Sequence, residues 1–252
     1  MTGKKTLPAE GQHAHRRDLR VFHGVEAWVF DLDNTLYPAD ADLFTQINDQ
    51  IASYVARLLG IGHDEAQIRQ KAYYHEYGTT LRGLMVEHKI DPDEFLRHAH
   101  DIDYSALKPN PELREAIAAL PGKKFIFTNG DRPHAERTAE ALGITGEFED
   151  IFDIVAADLL PKPNLATYEL FVQRTGISPV RAAMFEDLPK NLDAPHKLGM
   201  QTVLIVPPGT RDVFREEWDL EADGTKHVDF VTEDLAGFLK AVGGALRNLD
   251  AH

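Results

Sequence analysis

Cysteine is missing from all 252 residues of the sequence. Its absence excludes disulfides, thiolate zinc sites, iron–sulfur clusters and cysteine nucleophiles together, so any metal must be held by oxygen or imidazole. No apolar run approaches the ~18 residues that span a bilayer, and the opening MTGKKTLPAEGQHAHRR holds no apolar stretch of the kind a signal peptide needs. The cytoplasm is therefore the expected location, with no membrane partner. Basic residues are scarce: 27 Lys and Arg face 41 Asp and Glu, a formal net charge of −14. Such a surface repels a phosphate backbone, so polymeric nucleic acid is not an expected partner. Small anions stay open, because a metal or a lysine reverses the field locally. What is present is the balance of a chain that buries a core, with 43% hydrophobic and 27% charged residues.

The polar residues 1–24 show neither helical nor strand period and read as a mobile tail. Val25-Glu26-Ala27-Trp28-Val29-Phe30 then forms a short apolar run that gives way at once to Asp31-Leu32-Asp33-Asn34-Thr35, the mark of a buried strand ending in a polar turn. Further strands are expected at 124–128, 154–156, 182–185 and 202–205, separated by helical patterns at 112–120, 132–142, 164–174 and 189–198. Strictly alternating strands and helices imply a doubly wound α/β sheet of parallel strands. The first and second strands are too far apart for a single crossover. Leu43, Phe44, Ile47, Ile51, Tyr54, Val55, Leu58 and Leu59 keep three-and-four spacing, and 62–107 reads as further helices. The expected organisation is an α/β core of 25–41 and 109–252 with an all-helical insert, 42–108, too small to fold without leaning on its host.

Ligands of open α/β sheets bind beyond the carboxyl ends of the strands. The polar residues at those ends are Asp31, Asp33, Asn34 and Thr35, then Thr128, Asn129 and Gly130, then Lys162, then Glu186 and Asp187. Two carboxylates one residue apart, leaving a buried strand, point in different directions; one can attack while the other moves protons. Asp31 and Asp187 brought together would repel without a cation, and hard oxygen ligands with room for water suit Mg²⁺. Lys162 and a hydroxyl at Thr128 would complete a clamp on a phosphoryl group, where catalysis is mostly positioning and charge neutralisation.

The segments Asp31-Leu32-Asp33-Asn34-Thr35-Leu36, Phe127-Thr128-Asn129-Gly130, Pro161-Lys162-Pro163 and Phe185-Glu186-Asp187 resemble, in order, the four motifs of the haloacid dehalogenase-like superfamily. The helical insert resembles that superfamily's C1-type cap, and the core its Rossmann-like sheet. Together with the first motif as extended by Tyr37-Pro38, Tyr77-Gly78-Thr79-Thr80-Leu81-Arg82-Gly83 and Asp187-Leu188-Pro189-Lys190-Asn191-Leu192 are most similar to the pyrimidine 5'-nucleotidase group. The resemblance implies a role for each residue. Asp31 would attack phosphorus to give an aspartyl-phosphate, and Asp33 would protonate the leaving oxygen and then deprotonate water. Mg²⁺ would be held by the Asp31 carboxylate, the Asp33 carbonyl and the Asp187 carboxylate. Glu186 would stand behind these ligands or join them, since the fourth motif reads Glu-Asp rather than the Asp-Asp or Gly-Asp of many members. Thr128, Asn129 and Lys162 would bind the phosphoryl group, and Arg82 would reach substrate from the cap.

The implied activity is a Mg²⁺-dependent phosphomonoesterase acting on a small phosphorylated metabolite, a pyrimidine nucleoside 5'-monophosphate first. Another phosphoester such as a sugar phosphate or pyridoxal phosphate, a phosphomutase reaction, and a non-catalytic binding role on the same fold remain alternatives. Tyr73, Tyr74 and Tyr77 read mainly as packing, most of the 12 histidines as solvated surface, and the acidic run 215–221 as a surface loop.

Overall fold

The structure, a computed structural model, describes residues 18–210 and 226–250; the acidic run 215–221 and the first 17 residues lie outside them. Six strands, β1 (Ala27–Phe30), β2 (Lys123–Phe127), β3 (Asp150–Phe152), β4 (Ala182–Glu186), β5 (Gln201–Ile205) and β6 (Phe230–Thr232), form one parallel sheet in the order β3-β2-β1-β4-β5-β6. Among the described residues the α-helices are α1 (Leu43–Leu59), α2 (His63–Tyr77), α3 (Thr80–His88), α4 (Pro92–Ala99), α5 (Pro111–Ala118), α6 (Arg132–Leu142), α7 (Leu165–Thr175), α8 (Asp193–Lys197) and α9 (Leu235–Asp250). This is the doubly wound α/β architecture expected from the alternation.

All four residues of β1 are buried because helices cover both sheet faces. Trp28 and Phe30 pack on one side with Phe22, Ile126 and Phe185, while Ala27 and Val29 pack on the other with Phe127, Met184 and Phe171. Phe30 stacks on its register partner Phe185 at 4.7 Å. Strand order reverses between β1 and β4, so the crevice beyond their carboxyl ends is where a ligand is expected. Asp31 leaves β1 there, its N–H donating to the Phe185 carbonyl.

Three expectations need correction. The third strand is Asp150–Phe152, not 154–156. Sitting at the sheet edge, β3 tolerates an exposed Asp150, whereas the more apolar Ile154 is buried against the helices between β1 and β2. The pattern at 189–198 is a 3₁₀ turn, Pro189–Leu192, followed by α8; Pro195 is accommodated in the first turn of α8, where its missing N–H costs no hydrogen bond. The tail does not extend to residue 24: Leu19–Phe22 forms a 3₁₀ turn, and Phe22 is fully buried against Trp28, ring centroids 5.8 Å apart.

Helices α1 to α4 follow β1 and share an apolar cluster of their own, Tyr54, Val55, Ala66, Tyr73, Leu81, Leu84, Phe95, Leu96 and Ala99, which Ile154 and Leu159 of the sheet region complete. Gly83 sets the approach of α3 to α2, since a Cβ there would lie 2.5 Å from the Tyr73 ring. No helix among the described residues is long and apolar enough to cross a membrane.

Candidate functional site

The chain turns tightly after β1, with Thr35 and Leu36 donating their N–H groups to the Leu32 carbonyl and Asn34 in the left-handed region that Asn tolerates. This turn gives each carboxylate a hydroxyl four residues on. Thr35 Oγ1 donates to Asp31 Oδ2 at 3.0 Å, and Tyr37 OH donates to Asp33 Oδ1 at 2.5 Å.

Lys162 lies beneath Asp31, 2% exposed, and all three of its N–H bonds have acceptors: Asp31 Oδ1 at 2.6 Å, Glu186 Oε1 at 2.7 Å and the Phe127 carbonyl at 2.8 Å. Its backbone is clipped to β2's end, because the Asn129 amide accepts from Lys162 N and donates to Lys162 O. Burial opposes the Lys162 charge, but Asp31 and Glu186 outweigh it and hold the ammonium firmly protonated. Glu186 is wholly buried and also accepts from Asn191 Nδ2 at 2.6 Å and from the Leu188 N–H at 2.9 Å. Its carboxylate is committed to holding Lys162 and the loop after β4, which leaves Asp187 as the more open of the two acids.

Oxygens of Asp31, Glu186 and Asp187 all lie within 4.8 Å of one another. Burial raises the Asp31 proton affinity above the ordinary carboxylate range, with Lys162 opposing and Glu186 and Asp33 adding to the rise. Burial likewise raises Asp187, reinforced by Asp31 and Glu186. Three acids against one lysine therefore leave unbalanced negative charge, and the donor set, all oxygen and crowded, fits a hard divalent cation. Asn34 adds a buried Oδ1 with no hydrogen-bond partner at the same edge, while its amide reaches Asp187 Oδ2 at 3.4 Å.

Asp33 behaves oppositely. Burial pushes it up, but His134 and the Tyr37 hydroxyl overcome that and bring it down to about 2. His134 is the residue that the sequence reading passed over. It is 0% exposed, with Nε2 2.8 Å from Asp33 Oδ1 and Nδ1 2.8 Å from the Tyr104 hydroxyl. Its available signal was position: it stands in the first turn of α6, just past the strand-end Asn129-Gly130, and its backbone N–H is capped by Asp131 at 3.0 Å. His100 is likewise buried, an exception to the surface reading made for most of the histidines, and stacks on His134 at 4.4 Å.

A cavity of about 460 Å³ rises from these residues toward α1 to α4. Asp31, Asp33, Asn129, Lys162 and Asp187 line its floor, and Phe44, Ile47, Ile51, Leu81, Phe95 and Leu96 give it apolar walls. Thr128 is not among the lining residues; its Oγ1 accepts from Gly130 N at 2.9 Å, which leaves its own O–H free to donate. Arg82 does not line the cavity either. The cations that do, besides Lys162, are Lys71 and Lys190. Lys190 hydrogen-bonds the Tyr74 hydroxyl with its ammonium 4.3 Å from the ring centre, so Tyr74 belongs to the cavity while Tyr73 and Tyr77 pack and bond to Glu87. Asn48 and Gln70 meet in the wall, Gln70 Nε2 donating to Asn48 Oδ1 at 2.9 Å.

A family model described as haloacid dehalogenase-like hydrolase matches residues 25–199. Phosphate metabolism protein 8 of Saccharomyces cerevisiae is 29% identical over 197 residues, 71% of this chain and 61% of that protein. The chain thus spans about three fifths of that relative's length. Haloacetate dehalogenase H-2 of Moraxella sp. (strain B) is 27% identical over 173 residues, 61% of this chain and 73% of that one. Among solved structures, a HAD phosphatase from Thermococcus onnurineus aligns at a TM-score of 0.57 and 20% identity, covering 87% of this chain and 98% of that one. The L-2-haloacid dehalogenase of Xanthobacter autotrophicus aligns at 0.51 and 19%, covering 87% and 99%. At these identities the structures speak to fold alone.

Proposed function

This chain belongs to the haloacid dehalogenase-like hydrolase family, and from that premise we propose that it is a cytoplasmic, Mg²⁺-dependent phosphomonoesterase working through an aspartyl-phosphate. The observation that carries the reading is a second carboxylate, Asp33, two residues beyond the Asp31–Lys162 pair and facing the same cavity. Dehalogenation, the activity in the name of the Moraxella relative, has no leaving oxygen to protonate, since halide departs without a proton.

In the first step an Asp31 carboxylate oxygen attacks phosphorus, the bond from phosphorus to the ester oxygen breaks, and Asp33, having taken up a proton as the phosphate dianion binds beside it, delivers that proton to the departing alkoxide. In the second, water attacks the phosphoryl group, gives its proton to Asp33, and frees Asp31 and orthophosphate. Lys162 offsets charge on Asp31 and on the phosphoryl oxygens, while the Thr128 hydroxyl and the Asn129 N–H orient them. A divalent cation held by the Asp31 and Asp187 carboxylates and the Asp33 carbonyl would neutralise the repulsion between carboxylate and phosphate.

For the substrate we propose a pyrimidine nucleoside 5'-monophosphate. Asn48 and Gln70 line the cavity among apolar walls, and the hydrogen bond between them leaves the Asn48 amide N–H₂ to donate and the Gln70 carbonyl to accept, the kinds of group that suit the edge of a flat ring carrying carbonyl and N–H groups. Phosphate release measured with Mg²⁺ over nucleoside monophosphates, sugar phosphates and pyridoxal phosphate, with halide release from chloroacetate in parallel, tests both levels. Turnover of UMP and CMP is expected. Turnover of another ester alone would remove the substrate assignment and leave the chemistry; halide release without phosphate release would remove the chemistry. A phosphomutase would release little phosphate from any of them.

The acidic cluster has a consequence that needs no turnover. Asp31 and Asp187 bind protons more tightly in the folded than in the unfolded chain, so these two groups hold more protons in the folded state from about pH 4 up to their raised values, about 7 for Asp31 and about 9 for Asp187. Stability in chelator is then greatest at the acid end of that range and declines as pH rises through the raised folded values. Melting temperature without metal is expected to be lower at pH 8 than at pH 5.5, and added Mg²⁺ to raise it more at pH 8. In Asp187→Asn the alkaline decline should shrink and the Mg²⁺ response disappear. Equal Mg²⁺ stabilisation of wild type and variant would remove Asp187 from the ligand set.

A further inference from the structure

We propose that His134 is the positioning residue of the acid/base group: it pins Asp33 Oδ1 so that Oδ2 alone exchanges protons with leaving group and water. The inference rests on the reading of Asp33 as the general acid and base, and adds to it a residue from a different strand–helix unit.

A buried histidine is ordinarily a satisfied core residue, and three features set this one apart. First, its contact is the reactive carboxylate itself, Nε2 to Oδ1 at 2.8 Å across 101 positions of sequence. An ionised carboxylate only accepts hydrogen bonds, so Nε2 must carry the hydrogen, a tautomer assigned from the partner. Second, the ring cannot turn. The Tyr104 hydroxyl engages Nδ1 at 2.8 Å, and His100 lies parallel to the ring within 8°. The His134 backbone is anchored in turn by the Asp131 cap. Third, Tyr37 donates to the same Oδ1 at 2.5 Å. Two donors on one oxygen fill it, and an oxygen filled in this way has no lone pair directed at substrate. The second oxygen of Asp33 faces a different requirement, since a general acid must carry its proton within hydrogen-bond reach of the departing oxygen. Fixing one oxygen from behind by a rigid donor is what orients the other, and positioning on this scale changes rates by orders of magnitude.

The test exploits leaving groups. Proton delivery matters greatly for an alkoxide and little for a good phenolate, and kcat/KM reads only steps up to leaving-group departure when phosphorylation is irreversible. Measured over esters from alkyl to 2,4-dinitrophenyl phosphate, His134→Leu is expected to lower kcat/KM for the alkyl esters by about 100-fold. The loss for the dinitrophenyl ester should be at least about tenfold smaller. His134→Gln, whose amide donates from a similar position, should recover most of the alkyl loss. Tyr104→Phe, which removes only the far support, should reproduce the selective loss in milder form and serves if the leucine variant does not fold. An equal fall for all esters, or none, would overturn the proposal, because a merely structural role has no reason to track the leaving group. Asp33→Asn measured alongside separates the two levels. If it is leaving-group selective and the His134 variants are not, only the positioning role fails. If Asp33→Asn is itself unselective, or wild type hydrolyses no ester in the series, the reading of Asp33 fails and the role of His134 with it.

Discussion

Asp31→Asn is expected to abolish hydrolysis, with a loss of at least about 10⁴-fold for every phosphomonoester tested, because a neutral amide in place of the attacking carboxylate is no nucleophile. The variant should nevertheless fold. Asp31 is buried and its charge is opposed by burial, Glu186 and Asp33, so an amide of the same shape relieves repulsion while Lys162 keeps an oxygen at Oδ1 and the Thr35 hydroxyl, which donated to Oδ2, turns to accept from the amide N–H. Thermal melting without metal at pH 8 should show the variant no less stable than wild type. Denaturation of wild type trapped with substrate should reveal a gain of one phosphoryl group on the peptide holding Asp31, absent from the variant. Retention of more than about 1% of turnover would remove Asp31 as nucleophile.

The second large effect concerns stability as well as rate. Lys162 is the one buried cation touching Asp31 and Glu186 among the described residues, and Lys162→Met leaves both carboxylates buried without it. Removing one partner of a buried ion pair costs about 3–5 kcal/mol, which for a chain of this size lowers the melting temperature by roughly 6–20 °C. Activity should fall at least about 100-fold, the scale of losing a donor that stabilises developing charge. The loss also has a pH sign. Without the lysine, which opposes its rise, Asp31 binds protons still more tightly in the folded state, so the variant loses further stability as pH rises above the ordinary carboxylate range. Urea midpoints for wild type and Lys162→Met should lie closest together near pH 5 and diverge toward pH 8. A gap independent of pH would mean that packing, not charge, carries the contribution of Lys162.

Sequence and structure agree where burial on both faces makes a strand legible as an uninterrupted apolar run, as in β1 and β4, and where a polar residue follows such a run directly. Asp31, Asn129, Glu186 and Asp187 are legible as strand-end residues on that ground. An edge strand carries a weaker signal, since one side answers to solvent; β3, with its exposed Asp150, lost out to the more apolar Ile154 nearby. The division of labour between Glu186 and Asp187 was open in the sequence because it depends on donors that face Glu186 only after folding, Asn191 Nδ2 and the Leu188 N–H. The supports of Asp33 divide in the same way. Tyr37, four residues on and reached through a tight turn, had a local signature. His134 and Tyr104 come from opposite ends of the crossover through α5 and β2, and no periodicity links them to Asp33.

Ile154 and Leu159 follow the third strand yet complete the apolar interior of α1 to α4. The insert is thus fused to its host by a shared hydrophobic seam as well as joined to it by two chain crossings. A graft that exchanged the insert alone for that of another protein would bring its own apolar surface against a mismatched isoleucine and leucine. Re-targeting this scaffold by swapping the roof of its chamber would require carrying the stretch from Ile154 to Leu159 along with it.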